Sequence, residues 1–202
     1  MGNFLAPAID GIDVNTAGIV VALRGLRING SSNSGSGNGL IGINVTAAAT
    51  VYIRKSDISG FQAGGATGIS VAGGATVVID DTVVHANGTG IAVSGSGGNV
   101  TMTLRNVVAH SNSANGISIT TSGSNAGATI DHATLASNAG IGLFVNGGAV
   151  TAMLGNSTIT GNATGVSAPA GTLYSFNDNQ IAGNTVNGTR IAPFPGPGGP
   201  LQ

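Results

Sequence analysis

The chain is 202 residues long, sets six Lys and Arg against seven acidic residues, all of them Asp, for a formal net charge of −1, and contains no Cys. So small and scattered a charge excludes the basic footprint that nucleic acid or an anionic membrane would need, and aromatic residues at 3% are too sparse to stack bases. Glycine at 36 residues with only 6% charged residues suggests low complexity, but the apolar residues recur at fixed spacing and supply burial that a disordered segment lacks.

In chain order, the start from Met1 to Pro7 lacks the basic and apolar parts of a signal peptide, so the sequence is expected to open at an internal boundary. No apolar run reaches the roughly 18 residues of a membrane span, and membrane insertion is not expected. From about Ala17 to Asn187 one pattern repeats. A Gly step opens each copy: Gly42-Ile43, Gly68-Ile69, Gly90-Ile91, Gly116-Ile117, Gly142-Leu143 and Gly165-Val166. A second alternating run follows, as in Val51-Tyr52-Ile53, Val77-Val78-Ile79, Met102-Thr103-Leu104 and Ala152-Met153-Leu154. Five positions on stands a third apolar residue, in turn Ile28, Ile58, Val84, Ala109, Leu135, Ile159 and Ile181.

Alternation of period two means strands, and a repeat of 22 to 26 residues is too short for a strand, a crossover helix and a return strand. Each copy is therefore one turn of coiled strands stacked on the same strands of the next turn. The predicted fold is all-β: a single-stranded right-handed parallel β-helix, or β-solenoid, of about seven coils. Residues 1–188 read as one β-helix domain and 189–202 as a Pro/Gly-rich C-terminal tail. Phe4, Leu5 and Ile9 near the start and Pro193, Phe194 and Pro195 in the tail are candidate assembly residues, because neither open end has a visible cap.

Aligned copies put side chains into columns. Asn87, Asn112, Asn138, Asn162 and Asn184 fall together as an asparagine ladder, with Ser31 and Phe61 in the earlier coils. Arg24, Arg54, Asp80, Arg105 and Asp131 form an outward charged column continued by Gly155 and Asn177, and Lys55, Asp81, Asn106, His132, Asn156 and Asp178 form the next. Arg27 faces Asp57. The candidates for catalysis, Asp80, Asp81, Arg105, Asp131 and His132, sit there. Asp80 and Asp131, two rungs apart, would be roughly 9.6 Å from each other, near the carboxyl spacing of an inverting glycosidase. Arg105 between them lowers carboxyl pKa values, whereas a general acid needs one raised. His85 and His110 align on adjacent rungs with no third ligand in their own or the next column, so neither a metal site nor a cofactor is expected. Thr50, Thr76, Thr101 and Thr151 make an outward threonine column, broken by Gly127.

With its columns in place the chain resembles the bacterial secreted right-handed parallel β-helix repeat proteins of the pectate-lyase-like superfamily. The resemblance is carried by Val21-Ala22-Leu23-Arg24-Gly25-Leu26-Arg27-Ile28-Asn29-Gly30, the Gly-Ile repeats and Gly171-Thr172-Leu173-Tyr174-Ser175-Phe176-Asn177-Asp178-Asn179. It implies a secreted or cell-surface location and, because enzymes of that superfamily cleave acidic polysaccharides, a carbohydrate-active or carbohydrate-binding role as one alternative. Arg24-x-x-Arg27, Asp80-Asp81 and Ile130-Asp131-His132 are the fragments that invite it. The galacturonan hydrolases' other segments have no counterpart, and the Asp residues pair with cations rather than forming a calcium cluster. The expected function is therefore an extracellular structural or adhesive solenoid without catalysis, associating end to end into a filament or surface layer. A polysaccharide is the possible further partner, and ice binding on the threonine face is a second alternative.

Overall fold

A computed structural model describes residues 10–31, 40–121 and 123–194, and residues 2–5 as backbone. None of the described residues is helical, and no helix is long and apolar enough to cross a membrane. Every strand pairing is parallel, and the strands wind as a parallel β-helix with three faces. The right hand is the one that parallel connections take.

The Gly-Ile steps build the first face, from Ile12–Asn15 and Ile41–Ala47 to Thr164–Ser167 and Val186–Gly188. The second face runs from Val20–Arg24 and Thr50–Arg54 through Ala126–Asp131 and Val150–Gly155 to Thr172–Ser175 and Ala192–Pro193. Two long strands, Thr67–Asp80 and Thr89–Arg105, bend around the corner and belong to both faces. This joins the two faces into one 14-stranded sheet. The third face is an eight-stranded sheet of short strands, from Gly2–Leu5 and Leu26–Asn29 to Gln180–Ile181. Eight stacked strands leave seven steps between them, in keeping with the coil number read from the sequence.

The predicted apolar columns are the core. Ile43, Ile69, Ile91, Ile117, Leu143 and Val166 pair in succession on the first face. Ile53, Ile79, Leu104, Ile130 and Leu154 do so on the second, and Ile28, Ile58, Val84, Ala109, Leu135 and Ile159 on the third. All of them are essentially inaccessible. Strands one residue out of register would turn these side chains to solvent, which is why the register is uniform.

The opening glycines have a spatial cause. A Cβ at Gly116 would lie 2.8 Å from the Asn138 amide nitrogen and 2.8 Å from the Gly142 oxygen, and Gly90 and Gly142 face Asn112 and Asn162 at 2.9 Å in the same way. In the earlier coils the ring of Phe61, fully buried, fills the corresponding space against Gly30 and Gly42. The Gly-Ile repeat and the asparagine ladder are thus two halves of one interlock.

The last coil departs from the sequence alignment. Nine residue steps separate Ser175 from Asn184, where Leu154 to Asn162 and its predecessors take eight, so one residue is inserted. Phe176, not Asn177, stands over Gly155, and its Cδ2 is 2.9 Å from where a Gly155 Cβ would be. Asn177 instead takes the left-handed conformation (φ 67°) shared by Lys55, Asp81, Asn106, His132 and Asn156, the place assigned from sequence to Asp178. The Pro/Gly-rich segment is also strand-paired at its start: Ala192 and Pro193 lie on Tyr174 and Ser175, and Phe194 packs edge-on against Tyr174 at 5.5 Å. Phe4 and Leu5 lie in the strand paired with Leu26–Asn29, whereas Ile9 and Pro195 fall outside the described residues.

Candidate functional site

The asparagine ladder lies inside the corner between the third and first faces. Asn87, Asn112, Asn138 and Asn162 are buried to within 1%. Each backbone N–H donates to the side-chain oxygen of the next: Asn87 to Asn112 at 3.0 Å, Asn112 to Asn138 at 3.1 Å, Asn138 to Asn162 at 3.0 Å and Asn162 to Asn184 at 3.0 Å. Each amide nitrogen donates back to a carbonyl of the preceding coil, as Asn138 does to Ala109 at 3.1 Å. Phe61 N–H closes the ladder on Asn87 at 3.1 Å. Buried donors and acceptors are satisfied along the whole corner, which marks these residues as structural. A shorter set went unread in the sequence: Ser56, Thr82 and Ser157, also buried, return their hydroxyls to the carbonyl two residues before them. Their only sequence mark is a Ser or Thr two places after the charged column.

The catalytic candidates share the outer edge of the second face, on an exposed surface. Arg105 donates from Nε and Nη2 to the two oxygens of Asp80 at 3.2 and 3.1 Å. Those bonds are the main reason the Asp80 carboxyl lies below the usual carboxylate range. Arg105 makes no such bond to Asp131. Asp131 instead accepts from the Asn156 amide at 3.0 Å, the largest cause of its own lowered pKa, and lies 2.9 Å from His132 Nδ1. Asp81 accepts from Asn106 at 3.0 Å. The structure therefore brings the five residues onto adjacent rungs but divides them into two self-contained pairs and a third contact. Both Asp80 and Asp131 are tuned to remain carboxylates, and neither is equipped to donate a proton as a general acid. Arg54 turns away from this line onto the Tyr52 ring, 4.7 Å from its centroid.

On the third face the His85 and His110 rings stack at 5.0 Å with planes 3° apart. Sequence alignment gave them no neighbouring carboxylate, and here the structure corrects it. Asp57 Oδ1 lies 3.2 Å from His85 Nε2, because Asp57 pairs with Val83 and reaches diagonally across to the next column. Asp57 also meets Arg27 Nε at 3.7 Å, the contact read from the alignment. Burial, and then the charge on His85, lowers the pKa of His110. The threonine column is in register, Thr50, Thr76, Thr101, Gly127, Thr151 and Thr172 in succession, while its neighbour mixes Tyr52, Val78, Thr103, Thr129, Met153 and Tyr174.

At the N-terminal end the Asn44 amide donates to Asp10 at 3.3 Å and to Asp13 at 3.1 Å. Burial first and the Asp13 charge second raise the Asp10 pKa, and its Oδ1 is buried without a hydrogen-bond partner among the described residues. At the other end Arg190, with Thr189 and Ile191, lines two open clefts of about 420 and 250 Å³.

A three-faced stack of parallel strands with an internal asparagine ladder defines a parallel β-helix protein of the pectate-lyase-like fold. Residues 6–193 match the family described as periplasmic copper-binding protein (NosD), and the chain belongs to that family. No curated protein and no solved structure matches it.

Proposed function

We propose that the chain is a non-catalytic structural or adhesive solenoid of the cell envelope that assembles end to end into a filament or surface layer. The family's periplasmic description supports the envelope setting. The observation that carries the reading is the placement of exposed large apolar side chains. Ile19, Val20 and Leu40 belong to the first two coils, Phe176 and Val186 to the last two, and the walls between have none among the described residues. Val20 and Phe176 continue the outward columns of Thr50 and Gly155 and flank the ends, while Val186 lies on the terminal strand itself, so axial association would bury this apolar surface in part.

The family description also raises copper, which binds convergent thiolate, thioether or imidazole donors. The sequence has no Cys, Met102 is buried in the core, and Met153, on the outer second face, stands between Thr129 and Tyr174 with no imidazole in its column. His85 and His110 stack with parallel planes, so an ion held in the plane of one ring lies out of the plane of the other. Among the described residues no three His, Cys, Asp or Glu side chains gather as a metal site. This donor set does not fit a resident copper ion, and no role is derived from one. The lowered Asp80 and Asp131 carboxyls speak against general-acid hydrolysis of a carbohydrate, and the mixed column beside the threonines against ice binding.

Electron microscopy of the purified protein at several concentrations tests the proposal. Fibres are expected with an axial repeat of about 38 Å, eight steps of roughly 4.8 Å counting the junction. Isolated rods at every concentration would overturn it.

A further inference from the structure

The charged edge of the second face has a symmetry of its own. Arg24, Arg54, Asp80, Arg105, Asp131 and Gly155 stack there in register, one to a rung. Outward from the midpoint between Asp80 and Arg105, one arm reads Asp80, Arg54, Arg24 and the other Arg105, Asp131, Gly155. At each distance from the midpoint a charge on one arm answers the opposite charge, or none, on the other. A half-turn that reverses the axis therefore makes the column its own electrostatic complement.

Part of this charge is unspent inside the chain. Arg105 occupies both oxygens of Asp80, at 3.2 and 3.1 Å, and Arg54 is left on the Tyr52 ring, 4.7 Å from its centroid. Among the described residues neither Arg24 nor Arg54 has a carboxylate in salt-bridge contact, and Asp131 has no Arg or Lys.

We propose that a second copy of this chain packs face to face on the second face with its axis antiparallel, about a two-fold axis running along the strands midway between Asp80 and Arg105. The contact is lateral, goes beyond end-to-end assembly and does not depend on it. A two-fold along the strands sets every column against itself, so that residue i of one copy meets j of the other and j meets i. Arg54 then lies on Asp131 and Asp80 on Arg105, each contact made twice, while Arg24 lies on Gly155, toward which Asp131 Oδ1 leans, 3.5 Å from where a Cβ there would be. In the adjoining column the larger side chains meet smaller ones, Tyr52 on Thr129 and Met153 on Ala22.

The charges also reject the neighbouring registers. A slide of one rung sets Arg105 on Arg105 in one direction and Asp80 on Asp80 in the other. A slide of two rungs sets Arg24 on Arg105 or keeps only Arg105 on Asp131. Six rungs of about 4.8 Å and five residues of about 3.3 Å cover about 500 Å² per copy, or about 1,000 Å² in all, at the lower limit of a specific interface, so the pair should be weak, reversible and steered by charge.

Sedimentation over a range of concentrations tests the pairing. The wild-type chain should show a monomer–dimer equilibrium that salt weakens. Arg54→Asp and Asp131→Arg should each raise the dissociation constant about tenfold, and the two together in one chain should bring it back to within about threefold of wild type. The register has its own readout, because the chain has no Cys and a Cβ at Gly127 meets open space. Thr50→Cys and Gly127→Cys chains, whose changed positions face each other across the two-fold, should be joined by a short bis-maleimide when mixed and far less when either is alone, since like positions then lie about 14 Å apart along the axis. A chain that stays monomeric at millimolar concentration would overturn the proposal, as would a dimer indifferent to both reversals or cross-links that form equally without mixing. Fibres of single width would overturn it too and leave end-to-end assembly standing.

Discussion

Asn138 shows how much one side chain can hold. Its oxygen accepts from both nitrogens of Asn112, at 3.1 and 2.9 Å, and its amide donates to Ala109 and to Asn162. Truncation to Ala leaves the Asn112 N–H buried and unpaired, and should cost about 1 to 3 kcal/mol in a denaturant titration. Gly116→Ala should cost about 1 to 3 kcal/mol, since its new methyl meets the Asn138 amide and the Gly142 backbone at 2.8 Å and the latter cannot move aside. Asp131→Asn, on the outer surface, should change stability by less than about 0.5 kcal/mol. Similar losses in all three would contradict the division between ladder and surface. The ladder was legible in the sequence because identical residues fall at one place in five coils. The Asp57 contact to His85 was not, because it crosses between columns and depends on side-chain reach rather than on spacing.

At the scale of the strand, register carries the stability. Ile79 and Leu104 are fully buried and stacked on each other, so Asp at either place buries an unpaired carboxylate and should abolish cooperative unfolding in a thermal melt. The histidine stack adds a pH response. Its cause is the folded-state pKa of His110, which lies below the ordinary value of 6.5 through burial and His85. A group depressed in this way favours the folded state above its unfolded pKa, and that contribution is lost as pH falls from 6.5 through the folded value. Stability should therefore decline on acidification through this window, and His110→Gln should flatten the slope. Asp80, depressed by Arg105, acts with the same sign but only below the ordinary carboxylate value of 3.8. The strands, their three faces and their inward residues were readable from period and alignment. The inserted residue between Ser175 and Asn184 was not, since nothing in the local composition marks it and only the pairing of Phe176 over Gly155 reveals it.

For the whole molecule, the wall and the ends differ in kind. The wall spreads its few charges into pairs, Arg27 with Asp57 and Arg105 with Asp80, and leaves the surface nearly neutral. In a stack where each coil touches only its neighbours, the terminal coils should open first, so amide exchange should be slowest near the coil of Leu104 and fastest at residues 186–193. Ending the chain at Gly188 would uncover the Tyr174 and Phe176 rings that Phe194 covers, and should speed exchange in Thr172–Ser175 while leaving the central coils unchanged.

The direction of the ladder has a further consequence for how such a chain is made. Every Asn reaches backward: the N–H of Asn87 is answered by Asn112, that of Asn112 by Asn138, and so on to Asn184. A coil emerging from a ribosome or a translocation channel is therefore left with an unanswered corner until the coil behind it has been delivered. Folding of this solenoid should trail its synthesis by one turn, with the growing tip always provisional and the turns ahead of it already set.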